Sequence, residues 1–92
     1  MWVVNNNKER IKSYINNDIE SNITNITNEI NRIHDLIASI NRATAGTASG
    51  ADRVMIDDCQ RALNELSITR QNLFACKNYA SQLETREWIP DE

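Results

Sequence analysis

Ile19, Ile23, Ile26, Ile30, Ile33, Ile37 and Ile40 follow one another at intervals of 4, 3, 4, 3, 4 and 3 residues. Alternating steps of three and four mark an α-helix that offers one apolar seam to a neighbour. Ile23, Ile30 and Ile37 take heptad position a, and the other four take position d. Isoleucine is a middling helix former, but regular placement outweighs propensity, because packing of the apolar face supplies most of a helix's stability. Ile11 and Ile15 extend the row upstream at a spacing of four, so the stripe drifts around the helix there. Asn6 or Asn7 suits the N-cap, with Glu9 three residues after Asn6. Arg42 suits the last turn, and Gly46 suits the stop.

The second half repeats the design with smaller side chains. Cys59, Leu66, Leu73 and Ala80 fall at a. Met55, Ala62, Thr69, Cys76 and Leu83 fall at d, and Ile56 and Leu63 widen the stripe. Asp52 is the expected N-cap, Asp57 and Arg61 form an i,i+4 pair, and Pro90 closes the element. Both glycines, Gly46 and Gly50, sit in a small, polar stretch between the halves. The prediction is an all-α chain forming a single domain over 1–92, with helix 7–43, turn 44–51 and helix 52–88. Equal lengths and a short connection make it an antiparallel two-helix hairpin of coiled-coil type. The hairpin returns both ends to one place, where Trp2 and Trp88 would cap the open end.

A chain of 92 residues is small, and two helices cannot enclose a core between them. Apolar residues also lie off the expected seam: Val54, Ile68, Ala75 and Tyr79 on the second helix, Tyr14 and Leu36 on the first. Such stripes mark association surfaces. A four-helix bundle is the expected completion, with a second hairpin that is either a copy or a different chain.

Chemistry has little to work with. His34 is the sole histidine, and no second histidine or paired cysteine offers a metal site. Asp57 and Asp58 point about 100° apart on a helix, so they do not form a carboxylate pair. No glycine-rich phosphate loop is present. The expectation is therefore a non-enzymatic protein without a cofactor. Acidic and basic residues are nearly balanced, with a net charge of -3, and form no basic stripe for nucleic acid. The Trp2-Val3-Val4 run is shorter than the ~7–15 apolar residues of a secretory signal, and no run suits membrane insertion. A cytoplasmic location is expected, which leaves the Asn22 and Asn25 glycosylation sequons as chance matches. Cys59 and Cys76 would lie about 25 Å apart along one helix, out of disulfide reach, and read as small buried hydrophobes.

A chain of this size, with matched helices and a small-residue turn, resembles the WXG100 superfamily of type VII secretion. Within it, the chain is most similar to the small helical partners of LXG-domain toxins in Gram-positive bacteria. The turn holds Ala45-Gly46 and Ser49-Gly50 where the superfamily holds Trp-x-Gly. In the tail, Tyr79 is followed by Leu83 and Glu84, and Trp88 and Glu92 keep the spacing of the superfamily's Tyr-x-x-x-Asp/Glu. These departures fit the accessory partners. The resemblance implies a protein that binds the helical N-terminal domain of a toxin effector and assists its stability or export, leaving with it by a signal-peptide-independent route. Two other readings suit the same residues: a self-associating structural coiled coil, and a regulatory inhibitor that masks a partner helix.

Overall fold

The structure, a computed structural model, describes residues 1–44, 47 and 49–91. Strand β1 (Trp2–Val4) leads into helix α1 (Asn6–Thr44), which is followed by helix α2 (Gly50–Ser81) and strand β2 (Arg86–Trp88). The two helices pack antiparallel as a hairpin, and the strands pair at its open end. The result is a rod 80 Å long and 14 × 13 Å across.

Local chemistry sets the helix starts. Asn5 caps α1, one residue before the expected position, and its Oδ1 accepts from the backbone N–H of Asn7 (3.0 Å) and Lys8 (3.1 Å). Ser49 caps α2 in a reciprocal capping box. Ser49 Oγ accepts from the Asp52 N–H at 3.2 Å, and the Asp52 carboxylate accepts from the Ser49 N–H at 3.0 Å. Asp52, the expected cap, is thus the third residue of the helix. Its hydrogen bonds from Ser49 hold its carboxyl below the usual range. Gly50 and Ala51 belong to α2 and not to the turn, and the stop expected at Gly46 lies outside the described residues. Arg61 approaches Asp58 at 3.9 Å, not Asp57.

On α1 the isoleucine row from Ile19 to Ile40 faces α2, with Ile30 the most enclosed at 6 % exposure. The row continues upstream in strict 4-3 steps through Asn16 and Lys12, both half-buried. Ile11 and Ile15 are exposed, so the seam does not drift. An apolar seam at the turn end thus becomes a polar seam at the open end. Asn16 Oδ1 is enclosed without a hydrogen-bond partner. Asn16→Ile extends the isoleucine row and removes that cost, so it is expected to stabilise the chain by about 1–2 kcal/mol, read as a higher thermal midpoint.

On α2 the seam lies on a different pair of columns from the expected one. Cys59, Leu66, Leu73 and Ala80 face inward, but their companions are Ile56, Leu63, Arg70 and Lys77. Met55, Thr69, Cys76 and Leu83 are exposed, and Ala62 is half-buried at the border. Cys76 is therefore not a buried hydrophobe, and both cysteines are free thiols. Size explains the choice. Leu63 fills space against the isoleucines that Ala62 would leave empty. Further down, Arg70 and Lys77 can lay their aliphatic stems in the seam while their charged ends reach out. Lys77 Nζ meets the Glu20 carboxylate at 2.6 Å, and Arg70 donates to Thr27 Oγ1 at 3.5 Å.

Helix α2 ends at Ser81, well short of residue 88. Ser81 Oγ donates to the Asn78 carbonyl, competing with the helical ladder. The chain then extends and pairs antiparallel with β1, setting Trp2 opposite Trp88, Val3 opposite Glu87 and Val4 opposite Arg86. The aromatic and β-branched residues of β1 suit a strand. Its backbone carbonyl and N–H groups pair with those of β2 across the open end. Thr85, only 6 % exposed, anchors the junction: its hydroxyl donates to the Glu9 carboxylate, and its carbonyl accepts from the Asn5 N–H at 2.8 Å. Pro90 therefore follows a strand and not a helix.

Candidate protein-binding surface

Rotating the α2 seam places a second apolar stripe on the outside. In an antiparallel pair, the g columns of the two helices run side by side along one flank. Here α1 contributes Ile15 and Leu36, and α2 contributes Met55, Ala62, Thr69, Cys76 and Leu83. All are exposed except Ala62. Val54, Ile68 and Ala75 form the adjoining outermost column of α2, and Tyr79 lies between the two columns; all four are exposed. Near the turn the strip deepens into a groove of roughly 450 Å³. Its walls include Ile33 and Cys59 from the seam and Ala51, Val54, Met55 and Ala62 from α2. Of the residues expected to form the partner surface, Leu36, Val54, Ile68, Ala75 and Tyr79 lie on or beside this strip. Tyr14 projects from the outer side of α1, away from it.

The opposite flank is polar. A hollow there is lined by Asn17, Glu20, Ser21, Thr24 and Asn25. The Lys77–Glu20 and Arg70–Thr27 contacts lie on this side, and Lys77 holds the Glu20 carboxyl below the usual range. The hairpin thus has one mainly apolar flank and one mainly hydrophilic flank, from which Phe74 projects. Sequence reasoning missed Ile15 as part of the strip and assigned Met55, Cys76 and Leu83 to the seam. The signal was the presence of two apolar columns bordering Cys59, Leu66 and Leu73, of which the seam can use one.

The open end is a clasp. The Trp2 and Trp88 rings meet edge to face, with centroids 5.7 Å apart, and the Arg86 guanidinium lies 4.9 Å over Trp2. Lys8 Nζ pairs with Glu87 at 2.9 Å, and Asn5 donates to the same carboxylate at 3.1 Å. Lys12 Nζ donates to the Leu83 carbonyl at 3.1 Å. A two-stranded ribbon is marginal alone, so these side chains hold it together. Arg86 beside Glu84 pulls that carboxyl down to about 2, and Lys8 with Asn5 lowers Glu87. Lowered carboxyls favour the folded clasp above the ordinary carboxylate range, and that contribution disappears as the pH falls through the folded values. The tryptophan near-UV circular dichroism should therefore persist at neutral pH and fade between about pH 4.5 and 2. A signal unchanged at pH 2 would show that these ion pairs do not hold the clasp.

Among the described residues, no group of three histidine, cysteine, aspartate or glutamate side chains could hold a metal ion. Nor is any described helix long and apolar enough to cross a membrane. His34 is exposed beside the seam. Fold and surface define a class: an antiparallel helical hairpin, closed by a strand clasp, with an unpartnered apolar strip along one flank. Comparison with protein-family models, curated proteins and solved structures returns no match.

Proposed function

We propose that the chain is a non-enzymatic helical partner protein whose apolar strip completes a four-helix bundle with another chain. By the resemblance drawn from its sequence, the partner is the helical N-terminal domain of a type VII secretion effector of the LXG kind. Binding covers apolar surface on both chains and assists the effector's stability or export. The observation that carries this reading is the strip itself. It repeats every seven residues along α2, from Met55 to Leu83. That spacing matches a helix laid alongside and does not suit an extended peptide. Exposed apolar side chains recurring along one flank of so small a protein mark an interaction site, and bundles are completed along such faces.

Co-expression with the helical N-terminal domain of an LXG-type effector tests the proposal. The expected result is a stoichiometric complex through purification, with the chain's helicity retained. A free monomer of 10.5 kDa by light scattering, with no effector bound, would reject it.

A further inference from the structure

We infer that the strip takes a partner helix whose apolar stripe is bordered by lysine or arginine, and that a second copy of this chain is not its occupant. This rests on reading the strip as a docking surface, and it specifies the chemistry of what docks. Between Ile15 and Leu36 on α1, and between Met55 and Cys76 on α2, four carboxylates stand on or beside the strip: Asp18, Glu29, Asp58 and Glu65. Arg32 is the counter-charge in the same columns, and it is already engaged with Glu29 at 2.5 Å. Asp58 has only a long contact with Arg61, at 3.9 Å from the outermost column. The opposite flank of the same stretches carries two carboxylates, Glu20 and Asp57, and Lys77 already pairs with Glu20 at 2.6 Å. The carboxylates of these helical stretches are therefore most numerous around the apolar strip.

A second copy docked through this flank would set carboxylates against carboxylates around a strip whose middle is Ala62 and Thr69. Like charges facing across an interface are costly, and so small an apolar middle offers little to offset them. A helix with basic borders reverses the sign. The same side chains then pair across the rim, speed association and fix the axial register. Alanine and threonine at the middle also let a partner helix approach closely.

The test uses the full chain and two synthetic helical hairpins that share one leucine stripe, one bordered by lysine and the other by glutamate. Fluorescence anisotropy at low salt should show the lysine-bordered probe binding about tenfold more tightly, the summed effect of several exposed ion pairs. In concentrated salt the gap should close. Glu29→Lys combined with Glu65→Lys should reverse the preference, with helicity checked by circular dichroism. The chain alone should remain monomeric by light scattering. Equal binding of both probes would overturn the charge assignment while leaving the strip as a helix-docking surface. Binding of neither would overturn the docking reading and this inference with it. A dimer abolished by Met55→Asp would assign the strip to a second copy.

Discussion

Replacing Ile30 with aspartate is expected to unfold the hairpin. Ile30 sits mid-seam at 6 % exposure, and Ala80 is the other apolar residue as deeply enclosed among those described. A carboxylate there has no cation within the isoleucine row to pair with. An uncompensated buried charge costs about 3–5 kcal/mol, and small single domains have only about 5 kcal/mol to lose at the low end of the range. The helical circular dichroism signal should collapse at 25 °C. Ile30→Val, which removes one methyl group and costs about 1 kcal/mol, should remain folded with a lower midpoint. If the aspartate variant melts within a few degrees of the parent, the isoleucine seam does not hold the fold.

Combining Leu36→Asp with Met55→Asp is expected to leave the fold intact and abolish partner binding. Leu36 is 46 % exposed and Met55 51 % exposed, so neither change buries a charge in the free chain. In the complex both would carry carboxylates into a desolvated interface that is already acidic. Two apolar positions at the turn end of the strip, at about 1.5–2 kcal/mol each, give a loss of at least about a hundredfold. Phe74→Asp is the matching control, because Phe74 is as exposed but lies on the polar flank. It should change affinity by less than about twofold. Loss of binding through Phe74, with the strip variant unaffected, would move the docking surface to the other side of the hairpin.

The sequence made α1 legible because its seam is written in one large side chain at one spacing. The row from Ile19 to Ile40 has a single way to face a neighbour. Helix α2 has no such uniqueness. Cys59, Leu66 and Leu73 form one column, with a plausible apolar column on either side. Apolar character alone favours Met55, Ala62 and Cys76, whereas the structure uses Ile56, Leu63, Arg70 and Lys77. Deciding between them requires knowing that the facing column is isoleucine and needs volume. It also requires crediting Arg70 and Lys77 with the aliphatic part of their side chains, which a hydropathy pattern counts as wholly polar. The clasp was hidden for a related reason. Trp2 and Trp88 could be placed together from the hairpin geometry, but strand pairing between three-residue segments depends on a partner 82 or more residues away, as in the Asn5–Glu87 bond beside it. Periodicity within one segment carries no trace of that.

The rotated seam and the strip it leaves outside can be tested with the protein's own thiols. Cys76 lies on the strip and is exposed, whereas Cys59 is half-buried at the seam. Maleimide labelling of the free chain, followed by mass mapping, should modify Cys76 well before Cys59. Labelling of the partner complex should slow Cys76 most. Slow labelling of Cys76 in the free monomer would return it to the seam, and undiminished labelling in the complex would show that the partner binds elsewhere.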